Sequence, residues 1–169
     1  PPGVQRIDVE TSEQMHDATL SRAPAAGIYV GAAAISDYRP MVVGEQKIKK
    51  RTDTITLEMI KTRDVLAEVA ALQPGPFTVG FAAETQQLEA HAREKFTRKR
   101  LDMIIANRVG TNLGFDCDEN SVLVLWNDGQ AEYPCMTKSD LARELVALIA
   151  ERYHATVNRP TPLRAPTAP

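Results

Sequence analysis

The sequence predicts an α/β fold in which a mainly parallel sheet is covered by helices on both faces and ends in a C-terminal antiparallel hairpin. Three observations carry this. Apolar, strand-like runs alternate with amphipathic stretches of helical length, as in sheets whose parallel strands are joined by helical crossovers. Three of those runs end in small or amide residues: "GAAA" at 31 to 34, "GFAA" at 80 to 83 and "AN" at 106 and 107. Near the end, an Asn-Asp-Gly turn separates two further strand-like runs, a specific hairpin signal.

Each element has a local warrant. "PPGVQRIDVE" passes from a turn signal into the alternating Val4, Ile7 and Val9 with no starting Met, so the chain is expected to begin partway through a larger fold. Thr11 and Gln14 have capping-box spacing and open a helix to about Arg22. "GIYVGAAA" reads as a buried strand. "GEQKIKKRTDTITLEMI" combines a basic cluster with the alternating Ile55, Leu57 and Met59, hence a loop or mobile hairpin leading into a half-exposed strand. "RDVLAEVAALQ" is helical up to Pro74-Gly75-Pro76, and "FTVGFAAE" is the next buried strand. Thr85 can cap the long helix "QQLEAHAREKFTRKRL", and "DMIIANRVG" is a third apolar strand bearing Asn107 at its end. "SVLVLWNDGQAEYPC" is the hairpin, and Thr137 with Asp140 opens the last helix, to about His154. The whole reads as a three-layer, Rossmann-like domain over residues 1–155, followed by a disordered tail at 156–169, where four of the last eleven residues are Pro.

Composition narrows the function classes. A chain of 169 residues, 43% hydrophobic and 25% charged, can bury one full core. A net charge of -2 gives no bulk attraction to nucleic acid or anionic lipid. Cys117 and Cys135 are too few and too distant for a zinc site or disulfide framework and fit a reducing cytoplasm; His16, His91 and His154 are equally scattered and read as structural or surface residues. No apolar run approaches the ~20 residues of a membrane span.

In parallel α/β sheets ligands bind beyond the carboxyl ends of the strands. Gly and Ala at three such ends would let a ligand reach backbone groups, although small residues also serve close helix packing. Asp37 and Phe81 stand beside them. Lys47, Lys49 and Lys50 lie in the basic loop, and Lys95 and Lys99, four apart, share a helix face; ammonium groups so placed suit a triphosphate. The sequence has neither GxGxxG at its strand ends nor GxxxxGK[ST], so a classical dinucleotide site and a P-loop both lack their defining residues.

"GAAAISDYRP", "EQKIKK", "TLEMIKTRDVLAEVA", "VGFAAET" and "AREKFTRKRLDMIIAN", in this order and spacing, resemble the phosphopantothenate-cysteine ligase domain of the bacterial bifunctional coenzyme A biosynthesis protein. The resemblance covers roughly residues 4 to 155. It implies CTP-dependent ligation of 4'-phosphopantothenate with L-cysteine through an acyl cytidylate, with Mg2+ or Mn2+, in a cytoplasmic homodimer commonly fused after a flavin-dependent decarboxylase. By position it places nucleotide contacts on Gly31, Ala32, Ala33, Asp37, Lys47, Arg63, Asp64, Val65, Leu66, Phe81, Lys95 and Lys99. It makes Lys47 the catalytic flap lysine and Asp37 a ribose or metal ligand. In these terms Phe81 packs on base or ribose, backbone at 63 to 66 reads the base, and Lys95 with Lys99 holds phosphate oxygens. The half-exposed "TITLEMI" is a candidate edge for a second subunit. The chain departs from the family in having Thr62 and Arg63 where relatives often have Asn-Pro, and in showing no counterpart of the family's glycine-rich first turn and acyl-cytidylate Asn. Two other readings fit the alternating pattern: an NAD-binding oxidoreductase domain and a non-catalytic nucleotide-binding module.

Overall fold

A computed structural model describes residues 2–44, 53–84, 87–108 and 118–158. The chain divides into two compact units, Pro1–Thr78 and Val79–Pro169.

In the first unit, helix α1 (Ser12–Leu20) starts as expected. Thr11 Oγ1 accepts from the Gln14 amide at 3.1 Å, and Gln14 Oε1 accepts from the Thr11 amide at 3.1 Å. Strand β1 (Ile28–Gly31) is shorter and more open than expected: Val30 is exposed, and residues 32 to 34 lie outside the strand and exposed. Alanines have low strand preference and little apolar area to bury, so the regular structure stops at Gly31. Strands β2 (Tyr38–Pro40) and β3 (Met59–Lys61) form an antiparallel ribbon in the register Tyr38↔Lys61, Arg39↔Ile60, Pro40↔Met59. Of the expected half-exposed strand only its end forms, and Ile55 and Leu57 are exposed outside it. Helix α2 (Val65–Ala70) is capped by Asp64, whose Oδ1 accepts from the Ala67 amide at 3.1 Å. Its Val65 and Val69 join Ala23 in a small core, against which Leu20, Tyr29, Ile35 and Leu72 pack.

The second unit holds the deeper core. Strand β4 (Phe77–Glu84), which crosses the unit boundary, covers the run "FTVGFAAE" expected as a strand. Helix α3 (Leu88–Lys99) leads to β5 (Met103–Arg108), which pairs parallel with β4 from Val79↔Met103 to Glu84↔Arg108. Strand β6 (Glu119–Trp126) pairs antiparallel with β5, and β7 (Gly129–Thr137) returns antiparallel along β6. The α/β class, the parallel pairing and the C-terminal hairpin are thus as expected, and the added antiparallel β5–β6 pairing makes the sheet mixed. At the hairpin a Cβ on Gly129 would fall 2.6 Å from the Trp126 ring, so close approach requires glycine there.

Met103–Ala106 and Val122–Leu125 are buried without a break. Successive strand residues point to opposite faces, so both faces of these strands are covered. Helix α3 packs on β5 and β6. Helix α4 (Lys138–Val157), capped by Thr137, packs on β6 and β7 and buries the i, i+4 stripe Leu141, Leu145 and Ile149. It continues past His154 to Val157, so the first residues assigned to the tail are helical; residues 159–169 lie outside the described residues. Among the described residues no helix is long and apolar enough to cross a membrane.

Candidate functional site

In the first unit, the β2–β3 ribbon gathers several of the expected residues. The Thr62 amide donates to the Asp37 carbonyl at 2.9 Å, and Thr62 Oγ1 donates to the Ser36 carbonyl at 2.5 Å. These two bonds fix the Asp37 turn beside the segment that leads into Arg63, Asp64, Val65 and Leu66. Gly31 reaches the same place: a Cβ on it would lie 3.0 Å from Leu66 Cδ1, so its small size serves packing against Leu66. The side chains divide as follows. Val65 is buried in the small core, Asp64 caps α2, and the Asp37 side chain is exposed. Ala32 and Ala33 are exposed, and Ala33 lines a cavity of about 670 Å³ with Thr11, Ile35, Arg39 and Thr62. Arg39 closes one wall of it by pairing with Glu13.

Arg63 is exposed but its guanidinium is paired. Its Nε donates to Glu68 Oε1 at 3.1 Å and its Nη2 to Glu68 Oε2 at 2.7 Å, a two-pronged pair. Glu68 Oε2 also lies 2.9 Å from His16 Nε2, and His16 Nδ1 lies 2.9 Å from Asp17 Oδ1. His16 is only 5% exposed. Hydrogen bonds to Asp17, then to Glu68, raise the His16 pKa above its ordinary value, against the opposing effects of burial and the Arg63 charge. The hydrogen bonds from Arg63 and His16 hold the Glu68 carboxyl below its ordinary range.

In the second unit, β4 is buried from Phe77 to Gly80 and then opens. Phe81 is 39% exposed, with Ala83 exposed two residues on and therefore on the same strand face. The register Ala82↔Ala106 and Ala83↔Asn107 places two of the three expected strand ends side by side on the rim of this sheet. Residues 31 to 34, the third, belong to the other unit. Glu84 closes β4 and is held by α3: Lys95 Nζ donates to its Oε1 at 2.5 Å, and His91 Nδ1 lies 3.1 Å from its Oε2. Burial pushes the Glu84 carboxyl up, but the Lys95 hydrogen bond and charge, aided by His91, bring it below its ordinary value. Lys99 is half-buried one turn further along α3. A larger cavity, about 1030 Å³ between the start of α3 and β6–β7, is lined by none of the expected residues.

Lys47, with Lys49, Lys50, Thr85 and Cys117, lies outside the described residues. Cys135 is exposed, with Sγ donating to Glu119 Oε2 at 3.6 Å. Among the described residues no group of three or more His, Cys, Asp or Glu side chains is gathered as a metal site. Sequence reasoning missed Glu68, His16, Glu84 and His91. For His16 a signal existed: a histidine among Met15, Thr19 and Leu20 on the inward stripe of a capped helix needs partners for both ring nitrogens.

Comparison with known proteins gives the context of these residues. The model of the DNA/pantothenate metabolism flavoprotein C-terminal domain matches residues 1–153. The coenzyme A biosynthesis bifunctional protein CoaBC of Vibrio cholerae is 47% identical over 156 residues, covering 90% of this chain and 39% of that protein. Its namesake from Escherichia coli is 41% identical over 158 residues, again covering 90% of this chain and 39% of its own length. The chain therefore spans about two fifths of the length of these relatives. Among solved structures, the C-terminal domain of a coenzyme A biosynthesis bifunctional protein CoaBC superposes with a TM-score of 0.74 at 28% identity, covering 92% of this chain and 69% of that one. The DNA/pantothenate metabolism flavoprotein from Streptococcus pneumoniae, at a TM-score of 0.73 and 18% identity, covers 89% and 74% and supports the fold alone.

Proposed function

This chain belongs to the DNA/pantothenate metabolism flavoprotein C-terminal domain family, and from that premise we propose that it acts in coenzyme A biosynthesis as a phosphopantothenate-cysteine ligase using CTP. A carboxylate is a poor electrophile. Transfer of CMP from CTP to the carboxylate of 4'-phosphopantothenate, with release of pyrophosphate, converts it to an acyl cytidylate. The cysteine amine then attacks the acyl carbon, CMP leaves, and the amide remains. Charge accumulates on the phosphates in the first step, so fixed cations near them lower the barrier.

The observation that carries the nucleotide part of this reading is the end of β4, where a half-exposed aromatic ring follows four buried residues and the next helix holds the Lys95 ammonium against Glu84. Phe81 offers its face to a base or ribose. Lys95 would exchange the Glu84 carboxylate for a phosphate oxygen, and Lys99 would supply a second ammonium. In the first unit, backbone groups at Arg63, Asp64, Val65 and Leu66 would read the base edge, and Gly31, Ala32 and Ala33 would admit the ligand to the main chain. A divalent cation, Mg2+ or Mn2+, supplies charge neutralisation when bound. Asp37, a single exposed carboxylate, fits an ion that takes most of its ligands from phosphates and water. Lys47 is assigned to the cytidylylation step. The same reading makes the protein a homodimer, and a second enzymatic domain fused upstream accords with relatives named bifunctional.

Equilibrium titration of this chain with CTP, ATP and NAD, with and without Mg2+, tests the reading. CTP preferred in the presence of the metal ion is expected. A preference for NAD would turn the assignment to an oxidoreductase domain, and binding of no nucleotide to a non-catalytic module.

A further inference from the structure

Three polar side chains of the first unit, His16, Glu68 and Arg63, form a chain that ends at the proposed nucleotide turn. Arg63 immediately precedes the Asp64 cap of α2, and one edge of its guanidinium donates two hydrogen bonds to Glu68, at 3.1 and 2.7 Å. Glu68 sits in the first turn of α2, and its Oε2 is shared with His16 Nε2 at 2.9 Å. A carboxylate on a short, six-residue helix would otherwise be free to follow water, since its side chain is 36% exposed. The His16 ring cannot follow it: the ring is buried on α1, and its other nitrogen is engaged by Asp17.

We propose that His16 is a positioning residue for base recognition, clamping Glu68 so that Glu68 holds Arg63, and with it the turn at 62 to 66, in one orientation. The inference rests on the reading of that turn as the segment that contacts the base. The chemistry explains why orientation matters. Cytosine presents an amino donor beside a ring-nitrogen acceptor, whereas uracil presents an oxygen acceptor beside a ring N–H donor. Backbone N–H and C=O groups distinguish the two only if the turn is held so that donors and acceptors oppose the correct edge. The phosphates are the same in both nucleotides, and the lysines proposed to hold them lie on α3, so phosphate affinity is independent of His16.

The ring also has the right donor count. With a proton on each nitrogen it donates to Asp17 and to Glu68 together, so Glu68 Oε2 accepts from His16 and from Arg63 at once. The charged groups facing the ring are Asp17 from α1, Glu68 from α2 and Arg63 from the segment before it.

The test measures dissociation constants of CTP, UTP and inorganic tripolyphosphate for wild type, His16→Leu, His16→Gln, Glu68→Gln and Thr19→Ala. Wild type is expected to prefer CTP over UTP. His16→Leu and Glu68→Gln should each lower that preference by about tenfold, the scale of a single charge-assisted hydrogen bond, with tripolyphosphate binding unchanged. His16→Gln keeps an amide N–H for Glu68 and should restore most of the preference. Thr19→Ala removes a side-chain hydrogen bond within α1 without touching Glu68, and should leave the preference intact. If wild type binds CTP and UTP equally, the base-recognition reading fails. If wild type prefers CTP but both His16→Leu and Glu68→Gln retain that preference, or Thr19→Ala loses it as they do, the cluster is only structural and the positioning role is overturned.

Discussion

Glu68 and Glu84 are each held between a histidine ring and a basic side chain, one in each unit, yet the buried partner differs. In the first unit it is the imidazole of His16, enclosed by two carboxylates; in the second it is the Glu84 carboxylate, 13% exposed, enclosed by Lys95 and His91. The surroundings differ in the same sense. Glu84 ends a strand of a sheet with a deep, continuous core, whereas Glu68 lies on a short helix beside a small cluster and a ribbon of exposed apolar residues. A dense core can fix a buried carboxylate by packing. A thin one must fix its turns by charge and capping, and this is where a recognition turn can be tuned without unfolding the molecule.

The largest effect should come from the cations around Glu84. Replacing Lys95 and Lys99 together by Gln should weaken CTP by about 1.5–3 kcal/mol for each ammonium–phosphate hydrogen bond removed, and CMP much less. Titration of both nucleotides decides it: equal weakening of the two, or none, would make these lysines surface charge.

Core truncation sharpens the contrast between the units. Ile105→Ala, at a fully buried position of β5, should cost about 2–5 kcal/mol in denaturant unfolding. Val42→Ala, beside the ribbon and 80% exposed, should change stability by no more than about 0.5 kcal/mol. A comparable loss at both positions would show that the apolar residues beside the ribbon are covered in solution, as a second subunit would cover them.

Phe81→Ala comes next. Since Phe81 is 39% exposed, it should lose well under the ~3–5 kcal/mol of a buried Phe truncation. It should also weaken every cytidine nucleotide by a similar factor, because a ring packed on base or ribose does not sense phosphate number. Collapse of thermal stability with affinity lost only through unfolding would make Phe81 a core residue.

The smallest effects are the opposed pH dependences of the two clusters. His16 has a raised folded pKa, so its contribution is fully present below its ordinary value of 6.5 and is lost as pH rises through the folded value. Glu84 has a depressed folded pKa, so its contribution is present above its ordinary 4.5 and is lost as pH falls through the folded value. Stability followed against pH should therefore lose its alkaline-side slope in His16→Gln and part of its acid-side slope in Lys95→Gln. The reverse pairing would contradict the assignment of the buried partner.

Local chemistry is legible in the sequence. The caps at Thr11 and Thr137, the hairpin at 127–129 and the full extent of β4 follow from spacing and residue type, because each is decided within a few residues. Two strands are shorter than their sequence patterns suggest. In "GAAA" small side chains carry no apolar incentive to stay in register, and in "TITLEMI" the alternating pattern becomes regular strand from Met59, where β2 pairs with it. The pairings within the carboxylate clusters are not legible, even where the helix stripe shows that His16 needs partners. His16 and Glu68 are 52 residues apart, and nothing in either local stretch announces the other. The small strand ends, Asp37, Phe81 and the lysines are legible from residue type and position, the turn at 63 to 66 comes only from resemblance to a family, and the fold adds partners such as Glu68 and Glu84.

The central claim is that a carboxylate is activated by CTP before cysteine enters. The most direct measurement is pyrophosphate release from CTP with 4'-phosphopantothenate and Mg2+ but without cysteine, with this chain set in place of the C-terminal domain of a bifunctional relative. One pyrophosphate per active site should appear promptly, CMP should follow only when cysteine is added, and Lys47→Gln should slow the release while CTP affinity stays near normal. No pyrophosphate before cysteine is added, or release driven by ATP and not CTP, would contradict the account; normal release in Lys47→Gln would remove that lysine from the chemical step.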